Sequence, residues 1–346
     1  MRIYMIWLLF ALAALMGTAQ AQEIVDIYSS IDSCDVTVEG NAADCTLIVQ
    51  LIMGGEVLQT KKLTLDGPGT YVVQWAKFEA EKGSYDACAT LMKNGTALSR
   101  KCDSFYYGGI APLRFDVRDF YADSKGMHLS ISASDPTIVD IYYMLISDNK
   151  ALHVTRDQAV PISGGFATPV QINYAWKQIL NNDQKYTGRV KIVELNHNQT
   201  RAFMNSFLAK DDALITETYQ DETGASATVI GNSRVPFEGT LRWTLSQNGT
   251  MLRAIEKRTP VLLTGDDETI EISWNEILQP GVYQLRTVLL GQGGDVKDLE
   301  ENIIEAKPII KGNASETAEQ KKSPLASGTA LAAALIVAVF LGRRRK

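Results

Sequence analysis

The sequence predicts an all-β chain of three tandem seven-stranded sandwiches followed by a C-terminal transmembrane helix. Three observations lead there. A Trp-to-Tyr stretch is written three times, from Trp75 to Tyr85, from Trp176 to Tyr186 and from Trp274 to Tyr283. The spacing is about 100 residues, the size of one sandwich. Apolar residues alternate in matching places: Leu47, Val49 and Leu51, then Ile141, Tyr143 and Leu145, then Leu241, Trp243 and Leu245. That period of two marks strands with one buried face.

In chain order, Arg2, an apolar run from Ile6 to Met16 and the small-x-small triplet Ala19-Gln20-Ala21 predict a signal peptide over 1–21. The first domain is assigned to 22–108, with strands expected over Glu23–Tyr28, Cys34–Glu39, Cys45–Met53, Val57–Leu65, Thr70–Trp75, Ser84–Met92 and Ala97–Tyr107. Seven short strands separated by turn signals argue a sandwich. The second and third domains follow over 111–209 and 212–308. Short linkers at Tyr107–Pro112 and Ala209–Ala213 imply a rod of limited bending. After each Trp the sequence predicts one helical turn, placing Trp176, Ile179 and Leu180 together on the core side. Residues 309–323 carry no apolar period and read as a flexible stalk. A span over 324–342, about 19 residues or ~28 Å of helix, is long enough to cross a bilayer. The tail Arg343-Arg344-Arg345-Lys346 would stay inside, with the body outside.

A Tyr just after a corner, as in Gly83-Ser84-Tyr85 and Gly281-Val282-Tyr283, resembles the tyrosine corner of immunoglobulin-like sandwiches. Taken with Val36-Thr37-Val38-Glu39-Gly40, Leu47–Leu51 and Trp75, the chain resembles the CARDB type of bacterial and archaeal surface domain, similar in outline to fibronectin type III. The resemblance implies the immunoglobulin-like fold and says little of function. Pro324 to Lys346 resembles the three-part sorting tails of prokaryotic surface proteins, without their Leu-Pro-x-Thr-Gly or Pro-Gly-Phe signals, so a retained membrane helix is expected.

The formal net charge is −6, from 34 Lys+Arg and 40 Asp+Glu. Setting aside Arg2, the seven basic residues after Ile310, Glu316 and Glu319 leaves 26 cations against 38 anions, a body of about −12. Such a body repels phosphates and excludes nucleic acid as the expected partner.

All four cysteines, Cys34, Cys45, Cys88 and Cys102, lie in the first domain. An exported chain with an even count predicts disulfides. Cys88 follows Tyr85 by three residues and so points outward. The turn signal Lys93-Asn94-Gly95-Thr96 lies midway to Cys102, which predicts Cys88–Cys102 and leaves Cys34–Cys45. The alternative is a cross-sandwich bond, Cys34–Cys88 or Cys45–Cys88. Sequons at Asn94, Asn198, Asn248 and Asn313 are candidate glycosylation sites in turns and stalk.

Catalytic motifs are missing. His128, His153 and His197 stand apart, and no His-Glu-x-x-His, Gly-x-Ser-x-Gly or phosphate-cradling loop occurs. Gly265-Asp266-Asp267-Glu268 is the densest acidic run and reads as a solvated turn, not a calcium loop. The expectation is therefore a chain without enzyme activity, metal or cofactor: a membrane-anchored cell-surface protein for adhesion, envelope structure or protein–protein interaction. The alternative is an exported hydrolase, or a binding or inhibitor subunit of one. A protein or glycan partner and self-association are the partner classes, beside the single membrane span. Outward apolar residues Ile48, Ile52, Tyr142 and Met144 mark a candidate contact surface, where a solvated sheet would read polar; the alternative is that a loop or the neighbouring domain covers them. The third domain has Arg242, Thr244 and Ser246 at the corresponding positions.

Overall fold

The computed structural model describes residues 22–109, 114–165, 168–197 and 199–307. The described residues from Gln22 to Ala306 belong to one compact unit, and every helix or strand among the described residues is a β-strand. No helix among them is long and apolar enough to cross a membrane. The expected signal peptide, stalk, span and tail lie outside the described residues.

The first seven strands are β1 (Glu23–Ser29), β2 (Ser33–Glu39), β3 (Thr46–Met53), β4 (Glu56–Thr64), β5 (Gly69–Gln74), β6 (Gly83–Lys93) and β7 (Thr96–Tyr107). Sheets β1-β2-β5 and β4-β3-β6-β7 enclose a core of Leu47, Val49, Leu51, Trp75 and Tyr85. Next come β8 (Phe115–Ala122), β9 (Gly126–Ala133), β10 (Thr137–Ser147), β11 (Lys150–Ile162), β12 (Val170–Ala175), β13 (Lys185–Glu194) and β14 (Gln199–Leu208). Here β12-β9-β8 faces β11-β10-β13-β14 across Ile141, Tyr143, Leu145 and Trp176. The last group is β15 (Ala213–Gln220), β16 (Gly224–Gly231), β17 (Thr240–Gln247), β18 (Thr250–Arg258), β19 (Asp267–Ser273), β20 (Gly281–Leu290) and β21 (Val296–Ala306). Its sheets β15-β16-β19 and β18-β17-β20-β21 close over Leu241, Trp243, Leu245 and Trp274. All the pairings between these strands are antiparallel.

The repeated Trp has the same work in each sandwich. Trp75 Nε1 donates to Ser30 O, Trp176 Nε1 to Asp123 O and Trp274 Nε1 to Asp221 O. Each indole thus fills the core while tying the strand that precedes it to the turn after the first strand of its sandwich. Tyr85 and Tyr283 close their corners by donating to the carbonyls of Glu81 and Gln279, both at 2.8 Å. The helical turn expected after each Trp does not form. The chain from Trp176 to Leu180 is irregular; Trp176 and Leu180 are buried, but Ile179 is 60 % exposed. The Leu180 amide bonds outside the segment, to Arg234 O, in place of the carbonyl a helical turn would supply.

Cys88 and Cys102 face each other in the β6–β7 ladder and are disulfide-bonded. The bond closes a loop of about 15 residues, worth ~3 kcal/mol in the chain-entropy model. Reduction should lower stability by about that amount, measured as a shift of the urea midpoint with and without reductant. The expected Cys34–Cys45 bond is absent, and both thiols are free and buried. Cys34 opposes Ser29 at one end of β2, whereas Cys45 Sγ lies 3.8 Å from Gln22, beside the Glu23–Glu39 pair at the other end. The five residue steps from Cys34 to Glu39 span ~17 Å, while a disulfide needs Cα atoms within about 7 Å. Burial pushes the Cys34 thiol up to about 12, which keeps it protonated and unreactive.

Candidate interaction surfaces

The junction of the first two sandwiches is built from the outer face of β1-β2-β5 and the outer face of β11-β10-β13-β14. It starts with alternation. Cys34, Val36 and Val38 fill the first core, so Ser33 and Asp35, at the alternate positions, point away from it. In β13, Tyr186, Val190 and Ile192 point into the second core, which turns Arg189 and Lys191 outward. The two outward sets meet. Arg189 Nη2 lies 2.5 Å from Asp35 Oδ1, Arg189 Nη1 donates to Ser33 Oγ, and Lys191 Nζ reaches Asp35 Oδ2 at 2.7 Å. The Arg189 side chain is 0 % and that of Asp35 2 % exposed. Lys191 also stands 5.4 Å from the ring centres of Tyr28 and Tyr142, where aromatic faces favour a cation.

Beside these charges lies an apolar patch of Val72, Met144 and Ile146, with Tyr142 and Ala151 packed against it. The β10–β11 turn then adds to the edge of β5. Val72 N donates to Asn149 O at 2.7 Å, and Lys150 pairs with Tyr71. Lys150 Nζ reaches Asp66 at 2.6 Å, and with the Tyr71 hydroxyl it holds that carboxyl below its ordinary range. The contact makes one seven-stranded sheet out of β1-β2-β5 and β11-β10-β13-β14. At its margin Tyr28, Asp32, Asp103, Tyr106 and Arg201 line a polar cleft of about 630 Å³.

The second and third sandwiches are joined differently. Arg234, between β16 and β17, donates its amide to Ser124 O and accepts from Leu180 N. Its guanidinium reaches the carbonyls of Lys177 and Gln178, and Val235 beside it enters the second core. Lys297 of β21 binds Asp211 at 2.8 Å.

The candidate contact residues fall into two classes. Tyr142 and Met144 are not open to an outside partner: Met144 is 2 % exposed, and both pack at the junction with the first sandwich. Strand β10 is apolar on both faces because it lies between its own core and the β1-β2-β5 sheet. Ile48 and Ile52 remain half-buried on the outer face of β3, in the sheet opposite to the one that carries Asp35.

Asn94 and Asn248 occupy exposed two-residue turns at φ 51 in each case, a left-handed conformation Asn tolerates. Asn198 and Asn313 lie outside the described residues. His128 bonds Asn173, His153 bonds Thr155, and His197 lies against Glu194. Asp266 accepts from Leu263 N, closing the turn that precedes β19. Among the described residues no group of three His, Cys, Asp or Glu could hold a metal ion.

Glu194 is buried. Burial disfavours its charge, but bonds from Thr137 Oγ1 and the amides of His197 and Asn196 outweigh it and leave the carboxyl below its ordinary value of 4.5. A depressed carboxyl adds stability above its unfolded pKa and loses it as pH falls through the folded one. Stability should therefore decline below about pH 4.5, and Glu194→Gln should flatten that part of the urea-midpoint-against-pH curve.

Sequence reasoning missed Asp35, Arg189 and Lys191. Each occupies an outward strand position, where a charge is the ordinary solvated residue. The one signal was the outward apolar pair Tyr142 and Met144 on the strand next to the two cations.

No protein-family model matches the chain, and no curated protein matches it. Among solved structures it is similar to a tetra-tandem repeat from the extending region of a large adhesion protein, with TM-score 0.23, 11 % identity, and 83 % of this chain and 74 % of that one covered. It is similar to trypsin-activated alpha-2-macroglobulin from Escherichia coli, with TM-score 0.23, 10 % identity, and 86 % and 24 % covered. A third likeness is to dimeric latent PorU from Porphyromonas gingivalis, with TM-score 0.23, 12 % identity, and 82 % and 32 % covered. The chain thus spans only a minor part of the macroglobulin and of PorU, and likenesses of this size carry no argument for activity or partner.

Proposed function

We propose that this chain is a surface protein presenting three immunoglobulin-like domains, 22–108, 111–209 and 212–308, outside the cell for adhesion, envelope structure or protein–protein interaction. In this reading a span over 324–342, inferred from its apolar length and the Arg343–Lys346 tail, anchors it. The observation that carries the reading is the Cys88–Cys102 bond, whose Cys102 end is exposed on the outer face of a strand pair. A disulfide there persists in an oxidising compartment and is reduced in a cytosol. The interlocked first two sandwiches support it further, since a module that presents a surface gains from a fixed geometry.

Protease added to intact cells tests this reading. Digestion of the body, leaving a short protected tail, is expected. A full-length chain recovered from the soluble cytoplasm with Cys88 and Cys102 reduced would refute it.

A further inference from the structure

The strand register rules the outer face of β4-β3-β6-β7 into rows, of which three lie at its centre. Lys62, Ile48, Thr90 and Arg100 form the first row, and Thr60, Gln50, Cys88 and Cys102 the second. Val57, Ile52, Asp86 and Ser104 form the third. The first row is basic, the middle neutral and the third acidic through Asp86, which accepts from Ser104 Oγ. Ile48 and Ile52 are half-buried, and Val57 is 46 % exposed.

The same face of the second sandwich shows what such a surface does. Counting from the corner tyrosines, Arg189 stands where Cys88 stands. Along the central strands Tyr142, Met144 and Ile146 take the places of Ile48, Gln50 and Ile52. In the second sandwich that face is covered by another sandwich of the same chain. In the third only the central strand is polar there, with Arg242 bonded to Glu256, while Met251 and Ile303 on the neighbouring strands are each 65 % exposed. The first sandwich keeps Ile48 and Ile52 on its central strand, with Gln50 in place of Met144, while the second sandwich packs on its opposite sheet.

We propose that this face binds the same face of a second copy of the chain, about a two-fold axis running along the middle row. A two-fold contact requires one patch to be complementary to itself, and this one is. Rotation about the middle row sets the first row over the partner's third. Ile48 then meets Ile52, Arg100 meets the Asp86–Ser104 pair, and Thr60 meets its own copy. Opposite charges fix the orientation, since a two-fold axis along the strands would lay the first row on itself and place Arg100 over Lys62. The second sandwich cannot use this face for the same purpose, because Asp35 and Val72 already occupy it. The inference concerns association alone and stands whether or not the chain is a surface protein.

The test is a charge exchange on the full chain in mild detergent, read as mass by analytical ultracentrifugation. The wild-type chain should be a dimer, and Arg100→Asp and Asp86→Arg should each be a monomer. An equimolar mixture of the two variants should regain the dimer mass, because each contact again pairs opposite charges. A monomeric wild type, single variants that stay dimeric, or a mixture of folded variants that stays monomeric would overturn the proposal. Folding is checked by the urea midpoint. Should either charge variant fail to fold, Thr60→Cys decides: a short bis-maleimide should join the exposed thiol to its copy in a covalent dimer, while it should not join Thr244→Cys in the third sandwich. Equal cross-linking of the two, or none at Thr60→Cys, would also overturn it.

Discussion

Replacing Asp35 with alanine should lower the stability of the chain by about 3–5 kcal/mol, because the change leaves Arg189 and Lys191 buried without their counter-charge. Both cations stand on the second sandwich, whereas Asp35 stands on the first. The loss should therefore appear in the unfolding of both sandwiches. The reason is asymmetric. Bringing a carboxylate, a guanidinium and an ammonium out of water costs much of what their attraction returns, so the intact network adds little net stability. Removing one member keeps the desolvation and forfeits the attraction. Asp35→Leu combined with Arg189→Met should accordingly cost less than Asp35→Ala alone, and urea denaturation of the four variants in the cycle gives the coupling between the two positions. Additive losses would mean that the two side chains do not meet.

Trp243→Ala should cost about 3–5 kcal/mol, the range for truncating a fully buried aromatic. Trp243 is 1 % exposed at the centre of the third core, between Leu241 and Leu245 on the same strand face. It differs from the repeated tryptophans in one respect. The indoles of Trp75, Trp176 and Trp274 donate to turn carbonyls, whereas the buried Trp243 Nε1 has no acceptor among the described residues. Trp243→Phe removes that unpaired donor with a smaller loss of volume, so it should cost clearly less than Trp243→Ala. Thermal unfolding followed by tryptophan fluorescence would order the two. A phenylalanine variant as damaged as the alanine one would show that the indole nitrogen is satisfied after all.

How much was legible follows from which interactions are local. Alternation is a property of neighbouring residues, so Leu47, Val49 and Leu51 betray their strand and its buried face without any structure. The first seven strands begin and end within two residues of the reading from sequence. The Cys88–Cys102 bond was legible for the same reason, since a turn signal midway between two cysteines fixes their register. Cys34 and Cys45 were not, because their separation depends on which ends of β2 their neighbours occupy. The helical turn after Trp176 failed because a spacing of three and four residues is also met by an irregular segment, here one whose Leu180 is held by Arg234 of the next sandwich. The junction between the first two sandwiches was hidden most completely. Asp35 and Arg189 are 154 residues apart, and each is unremarkable at its own position. Outward Tyr142 and Met144 signalled that something covers β10, and the covering surface was the rest of the chain.

The amide of Val72 tests the locked pair of sandwiches most directly. Its neighbours Tyr71 and Val73 pair with Val36 and Cys34 inside the first sandwich, while Val72 N donates to Asn149 O of the second. Amide hydrogen exchange on the native chain should find Val72 protected like Tyr71 and Val73, and Asp35→Ala should release Val72 while its two neighbours stay slow. Rapid exchange of Val72 in the wild-type chain, beside protected Tyr71 and Val73, would mean that the edge of β5 is open and the two sandwiches are not joined as described.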